Sequence, residues 1–306
     1  MRELVIGTRG SALAMWQAEW VAARLRALKP DLPLRIDRIT TKGDVANKAP
    51  LWQIGGGGLF VKEIERALLD RRVDLAVHSM KDLPSAMEPG LVVAAVPERE
   101  DPRDVLVSRH RLPLASLPPN ARVGTSSSRR RAQLLAHRGD LQIIPLRGNL
   151  DTRLRKAESE DLDAVVLAAA GIDRLGYRGR ITEYLPVEVC LPAIGQGALA
   201  LQTRADDPET IEIVAALEHR PTRVATEAER ALMAALGGGC QVPMAALCRE
   251  ENSQLVMDAL VASPDGSRVV RGRASGDPSS PAELGHRLAK ELIARGAAEI
   301  LAEVAR

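Results

Sequence analysis

Leu4-Val5-Ile6-Gly7-Thr8-Arg9-Gly10-Ser11 decides the fold of this 306-residue chain. A short apolar run ends in Gly-Thr and a serine. Behind it Leu13, Trp16, Gln17, Trp20, Val21 and Leu25 recur at helical spacing until Lys29-Pro30 stops the pattern. A buried strand that feeds directly into a helix is the first half of a βαβ unit. The turn between them offers backbone N–H groups at the positive end of a helix, a ready anion site. Plain capping by Ser11 is the other reading of the same residues.

The alternation continues. Leu34 to Thr40 alternates as a strand, Gly55-Gly56-Gly57-Gly58 breaks the chain, and Val61 to Arg71 reads as a helix. Leu75 to Ser79 and Leu91 to Val96 read as buried strands, so a largely parallel sheet with helices on both faces is expected. The opening pattern then recurs at Arg122-Val123-Gly124-Thr125-Ser126-Ser127-Ser128, with Ser128 as the matching cap. Leu162-Asp163-Ala164-Val165-Val166 likewise parallels Val73-Asp74-Leu75-Ala76-Val77. The two spacings differ, which fits two similar α/β domains rather than a fixed-period repeat. Pro97 to Pro102 and Leu191 to Gly197 read as crossings. The division expected is 1–97 with 198–217, then 103–191, with hinges at 98–102 and 192–197. A helix from Thr222 to Leu236, strands at 244–248, 254–261 and 267–274, and helices at Pro281–Arg295 and Ala297–Val304 make 220–306 a small α+β domain.

Composition narrows the function. At 45% apolar and 27% charged, the chain is a folded globular protein. Three cysteines without a C-x-x-C pair suggest neither a disulfide scaffold nor zinc, and no metal site is expected. The first residues carry an acid and a glycine where a signal peptide runs apolar, and no stretch approaches the roughly 18 apolar residues of a membrane span. The expectation is a soluble, cytoplasmic protein without a membrane partner. A net charge of +2 and six aromatics argue against a nucleic-acid partner, since single-strand binders stack bases on rings.

Arginine is the unusual component: 35 against seven lysines. Coding bias is one account of the total, but not of its placement. Residues 120–180 are +5 and the rest of the chain is −3. Arg129-Arg130-Arg131 open a helix, where cations oppose the dipole unless they meet an anion. Guanidinium forks match carboxylates two bonds at a time, which ammonium groups do not. A solvated basic face is the alternative. Two further constellations carry chemistry. His78-Ser79-Met80-Lys81-Asp82 lies at the C-terminal end of a strand, where open α/β sheets bind ligands. An Asp held among cations can stabilise a developing positive charge and move a proton, or it is simply a turn residue before Leu83-Pro84. Cys240, in Gly237-Gly238-Gly239-Cys240-Gln241-Val242-Pro243, sits on a glycine loop; spacing does not separate a nucleophile from a covalent attachment point. Cys190 and Cys248 read as small buried hydrophobes.

All these features occur in order in hydroxymethylbilane synthases, also called porphobilinogen deaminases, and the chain resembles that family over essentially its whole length. The stretches that carry the likeness are Ile6–Ser11, Gly58-Leu59-Phe60-Val61-Lys62-Glu63, Val77–Asp82, Glu98–Asp104, Val123–Ser127, Leu146-Arg147-Gly148-Asn149, Asp151-Thr152-Arg153-Leu154, Leu191–Ala198 and Gly238–Pro243. The resemblance implies two α/β domains like the lobes of periplasmic binding proteins, plus a small C-terminal α+β domain. It implies a transferase, working as a monomer, that condenses four porphobilinogen molecules head to tail through polypyrrole intermediates, releasing ammonia and forming hydroxymethylbilane. It also implies a dipyrromethane cofactor joined by a thioether to Cys240.

The resemblance assigns residues too. Asp82 is implied as the catalytic group that assists loss of the amino group and stabilises the resulting cation. Ser79, Lys81, Thr125, Ser126, Ser127, Arg129, Arg130 and Arg147 are implied to hold the cofactor, and Arg9, Phe60, Arg153, Arg174 and Gln196 to serve substrate. For Phe60, anchoring the following helix is an equal reading. Arg131 matches no family role. One departure stands out: Gln53 and Gly57 replace lysines that many members carry before and within the glycine run. A non-enzymatic, two-lobed receptor for a small polycarboxylate is the rival, but it leaves Cys240 and Asp82 without a purpose.

Overall fold

Strand β1 (Leu4–Thr8) is buried at every position and serves two cores at once. The structure, a computed structural model, describes residues 2–45, 60–158, 161–237 and 242–304. Leu4 and Ile6 meet Ala18, Val21, Ala22 and Leu25 of helix α1 (Ala12–Leu28) on one face. Val5 points to the other face. After β2 (Leu34–Arg38) and the short α2 (Lys42–Val45), helix α3 (Lys62–Leu69) covers that second face with Ile64, Ala67 and Leu68. Strands β3 (Leu75–Ser79) and β4 (Leu91–Ala95) follow. Leu25 is 1% exposed, so its truncation to Ala costs about 2–5 kcal/mol.

The next segment repeats the plan. It runs β5 (Asp104–Ser108), β6 (Arg122–Gly124), α4 (Ser128–His137), β7 (Gln142–Ile144), α5 (Leu150–Lys156), β8 (Ala164–Ala168), α6 (Ala169–Arg174) and β9 (Glu183–Tyr184). Here Leu134 of α4 meets Leu106, Val123 and Val166 on one face. Leu154 and Ile172 meet Val105, Val165 and Leu167 on the other. Strand β10 (Leu199–Arg204) and helix α7 (Pro208–Ala215) then return to the first sheet. Helix α8 (Arg220–Ala235) leads to β11 (Met244–Glu251), β12 (Gln254–Ala262), β13 (Val269–Gly276), α9 (Pro281–Leu292) and α10 (Ala298–Val304).

The two five-stranded sheets share one order. The first is β2-β1-β3-β10-β4 and the second β7-β6-β8-β5-β9. In each the three leading strands are parallel, and the fourth is antiparallel to both neighbours. The expectation of a largely parallel sheet is therefore corrected to a mixed one. The reversed strands, β10 and β5, each follow one of the crossings. Neither closes a βαβ unit, so neither is bound to the parallel direction that a crossover helix imposes.

The chain clusters into two compact units, Met1–Glu100 with Ala198–Arg223 and Asp101–Gly197 with Val224–Arg306. The second unit contains the C-terminal sheet β11-β12-β13. One face of that sheet, with Leu255, Met257, Ala259 and Val261, packs on α8 and α9. Its other face, with Ala245, Leu247 and Leu260, meets Ala132 of α4 and Leu191. The turn after β12 approaches α4 closely: a β-carbon on Gly266, whose φ is +75°, would stand 2.4 Å from the Ala132 carbonyl oxygen.

Candidate active site

In the first unit, the ends of β1 and β3 and the starts of α1 and α3 line a small open cleft. The β1–α1 turn is built by two short-range bonds. The buried Thr8 hydroxyl donates to the Ala14 carbonyl at 3.1 Å, and Ser11 Oγ caps the helix by accepting from the Ala14 amide at 3.3 Å. Between them stands Arg9, its guanidinium 4.0 Å from the centroid of the Phe60 ring, a cation–π contact. Phe60 also lies against Gly43, where a β-carbon would fall 2.1 Å from its ring. At the end of β3, Ser79 shares a hydrogen bond with Gln17 of α1 (Gln17 Nε2 to Ser79 Oγ, 2.9 Å). The chain then makes a single turn of 3₁₀ helix, Met80–Asp82. Buried Met80 anchors this turn, its amide donating to the Ala198 carbonyl at 3.0 Å. Lys81 and Asp82 are half-buried, and Asp82 lines the cleft with Arg9, Gln17, Phe60, His78 and Ser79.

His78 is held from below. Its Nε2 is 3.0 Å from Oε1 of Gln202 on β10, and Gln202 Nε2 donates to Oε1 of Glu65 on α3 at 2.9 Å. All three side chains are buried. Burial pushes the His78 imidazole down to about 4, against the Gln202 bond and with help from the Arg9 charge. The ring is therefore neutral at neutral pH.

In the second unit, the β6–α4 turn is likewise built by short-range bonds. The cap is Ser127, not Ser128: Ser127 Oγ accepts from the Arg130 amide at 3.4 Å. The Ser127 amide donates to Thr125 Oγ1 at 3.3 Å. Ser126 is stapled to the loop after β7, its hydroxyl donating to the Leu146 carbonyl and accepting from the Leu146 amide at 2.8 and 2.9 Å. That staple brings Arg147 beside the turn. Arg153 of α5 joins the same loop, its Nε donating to the Gly148 carbonyl at 2.8 Å.

The remaining arginines lie elsewhere. Arg129 and Arg130, expected to grip cofactor carboxylates, grip a carboxylate of the protein's own. Asp104, fully buried at the start of β5, accepts from Arg129 at 2.6 Å and from Arg130 at 2.7 and 3.0 Å. It also accepts from Gln196 Nε2 at 2.9 Å and from the Cys190 thiol at 3.2 Å. Burial alone would raise Asp104, but the two guanidinium groups outweigh it and hold the carboxyl far below its usual range. Arg129 further donates to the Leu191 carbonyl and Arg130 to the Val166 carbonyl. The cluster thus ties β5, α4, β8 and the crossing at 190–196 together. Gln196 also donates to the Pro102 carbonyl at 2.7 Å, and buried Arg174 donates to the Gly197 carbonyl at 2.7 Å. Other arginines of 120–180 are also engaged within the protein: Arg138 by Asp140 and three carbonyls, Arg178 by Asp173, Arg180 by Glu158.

Cys240, Gln53 and Gly57 lie outside the described residues. Among the described residues no cluster of His, Cys, Asp and Glu is arranged to hold a metal ion, and no helix is long and apolar enough to cross a membrane. Sequence reasoning assigned no site role to Gln17, Glu65, Gln202 or Asp104. Gln17 sits in the apolar stripe of α1, and a polar residue within such a stripe was a usable signal. The others acquire partners only when helices and strands distant in sequence pack together.

Residues 4–212 match the family model described as porphobilinogen deaminase, dipyromethane cofactor binding domain, and residues 224–294 match porphobilinogen deaminase, C-terminal domain. The porphobilinogen deaminase of Desulforudis audaxviator is 53% identical over 303 residues, 99% of this chain and 98% of that protein. The porphobilinogen deaminase of Syntrophotalea carbinolica is 53% identical over 299 residues, 98% and 95% of the respective chains. Among solved structures, the periplasmic aliphatic sulphonate binding protein SsuA from Escherichia coli matches over 76% of this chain and 70% of its own, at 16% identity and a TM-score of 0.42. With two family models in register and half of all residues shared with relatives from end to end, the chain belongs to the porphobilinogen deaminase family.

Proposed function

We propose that Asp82 carries the chemistry of this enzyme and that Cys240 carries its cofactor. As a member of its family the chain condenses four porphobilinogen molecules head to tail into hydroxymethylbilane, with dipyrromethane as cofactor. The observation that supports the assignment of Asp82 is its position on the lining of the cleft, one turn beyond β3, facing the same space as Arg9 and Ser79. The receptor reading is set aside, because both family models and the full-length relatives are those of a deaminase.

The donor set of the second unit fits dipyrromethane, whose acetate and propionate arms are carboxylates. The N-terminus of α4, the hydroxyls of Thr125 and Ser127, Arg147 on the loop after β7 and Arg153 of α5 are the donors we assign to those carboxylates. When bound, dipyrromethane supplies the pyrrole carbon to which the first substrate is joined. Asp82 acts on the substrate's aminomethyl group. That group arrives as an ammonium, the C–N bond breaks, and the bonding pair leaves with nitrogen as ammonia. The methylene and its pyrrole are left with one positive charge, which the Asp82 carboxylate stabilises. The same carboxylate takes the proton lost when the new C–C bond forms. Arg9, on the lining of the cleft, holds a substrate carboxylate, and Lys81 beside Asp82 holds a carboxylate of the cofactor. Phe60 holds Arg9 in place, by the contact described above. Arg129 and Arg130 act through Asp104, as the frame on which the anion turn stands. A net charge of +2 and a polyacid ligand favour a small-molecule partner over nucleic acid, and family membership accords with a monomeric, cytoplasmic enzyme without a membrane partner.

Intact-mass measurement tests the cofactor assignment. The purified chain is expected to exceed its 32.9 kDa by one dipyrromethane, with the adduct on the peptide carrying Cys240, and Cys240→Ser to lack it. Active protein of unmodified mass, or an adduct on another residue, refutes the assignment.

A further inference from the structure

We propose that the buried series Glu65–Gln202–His78 fixes His78 in the Nε2–H tautomer, so that its Nδ1 lone pair accepts a hydrogen bond from an N–H group of the substrate in the cleft. The proposal rests on the substrate reading above. The tautomer follows from donor and acceptor identities alone. A carboxylate accepts and does not donate, so Glu65 turns the amide nitrogen of Gln202 toward itself. The carbonyl oxygen of Gln202 then faces His78, and an oxygen there requires a proton on Nε2.

Nδ1 is left as the acceptor. It has no hydrogen-bond partner among the described residues, and it is not one of the buried polar atoms left unsatisfied. His78 nevertheless borders the cleft. Nδ1 is therefore the ring atom in touch with the cleft. The charged groups around the ring are Arg9 from the β1–α1 turn, Glu65 from α3 and Asp82 from the turn after β3. Burial and Arg9 both keep the ring uncharged.

A neutral acceptor beside a carboxylate suits a porphobilinogen molecule. The ammonium presents several N–H donors, of which Asp82 satisfies only part, and the pyrrole N–H presents another. His78 would orient this end of the substrate without adding a second negative charge that must later be neutralised. Glu65 and Gln202 are positioning residues; they touch no substrate and act through the ring.

Nitrogen-15 NMR of the histidine rings in the holoenzyme tests the tautomer without any change to the site; the chain has five histidines, and loss of one signal in His78→Leu assigns the ring. The expected result is a neutral Nε2–H ring from pH 8 down to pH 5. A neutral Nδ1–H ring, or an imidazolium at pH 7, overturns the proposal. In Glu65→Gln the residue at 65 can also donate, Gln202 is free to turn over, and a second tautomer is expected; an unchanged spectrum overturns the positioning role. Kinetically, His78→Leu should lower kcat/KM for porphobilinogen roughly ten-fold or more, the scale of one hydrogen bond to a charged donor, with partial recovery in His78→Asn. An unchanged kcat/KM in His78→Leu overturns it. Binding of an analogue with methyl in place of aminomethyl separates the two donors: its affinity falls in His78→Leu if the pyrrole N–H is the partner and does not if the ammonium is. Failure of the unmodified enzyme to release ammonia from porphobilinogen would refute the substrate reading and leave the NMR result standing.

Discussion

Replacing Asp104 with Asn removes one negative charge from a place where two positive ones depend on it. The three residues are almost wholly withdrawn from water: Asp104 is 0%, Arg129 5% and Arg130 6% exposed. Asn keeps the volume and one acceptor oxygen, enough for Gln196 or a single guanidinium N–H. It leaves the charges of Arg129 and Arg130 uncompensated, and breaking a buried pair in this way costs about 3–5 kcal/mol. Against a typical domain stability of about 5–15 kcal/mol this is a large share. In urea it corresponds to a midpoint lower by about 1–2 M. The damage should fall on the second unit. All three tryptophans precede residue 53, so tryptophan fluorescence reports the first unit. Amide hydrogen exchange across 101–108, 128–137 and 187–197 reports the second. Exchange there should accelerate in Asp104→Asn while the tryptophan transition stays close to wild type. A pH series adds a sign. The folded-state value of Asp104 lies below its unfolded one, so its contribution is complete above about pH 4 and disappears as pH falls through the folded value. Wild type should therefore lose more stability on acidification than Asp104→Asn. A loss below about 1 kcal/mol at pH 7 refutes the reasoning, since it means that the guanidinium groups do not depend on this anion.

Asp82→Asn should keep the dipyrromethane mass yet turn over about 10²-fold more slowly or worse, because the amide neither balances a cation nor accepts its proton; near-normal turnover in a steady-state assay removes Asp82 from the chemistry. Cys190 is fully buried and its thiol is pushed up to about 12 by burial, with the Asp104 charge adding to it. Iodoacetamide should leave it unlabelled in the native protein and label it after unfolding, as peptide mapping would show; native labelling would mean that the Asp104 cluster opens readily.

The elements were legible where the signal was local. The strand β1, its Gly-Thr turn and the Ser11 cap all lie within eight residues, and so do their counterparts in the second sheet. The cap there moved by one residue, to Ser127, because three serines in a row offer equivalent hydroxyls and only backbone geometry chooses among them. The direction of β5 and β10 was not legible. A buried run such as Leu199–Arg204 carries no mark of which strand it will join or in which sense. The same limit governs the site. Asp82, Ser79 and Arg9 were singled out because their motifs are contiguous, and the structure sets all three on the lining of one cleft. The arginine surplus could be counted, but the pairing of Arg129 and Arg130 with Asp104 could not be read, since nothing near Arg129 in sequence shows that Asp104 will be buried beside it. Glu65, His78 and Gln202 come from three separate elements, and their series exists only once β10 has been laid antiparallel to β3.

The shared strand order has a consequence for synthesis on the ribosome. The second sheet is encoded without interruption, since β5 to β9 lie between Asp104 and Tyr184. The first sheet is not: β3 and β4 both pair with β10, and Leu75 meets Thr203 across the whole of the intervening unit. At roughly 5–20 residues per second, the N-terminal strands wait about 5–20 s with β3 and β4 lacking the strand that joins them. Apolar strands with open edges are the usual seeds of aggregation. The sheet whose strands leave the ribosome first is thus completed after its successor, and during that interval the nascent chain has most use for a chaperone.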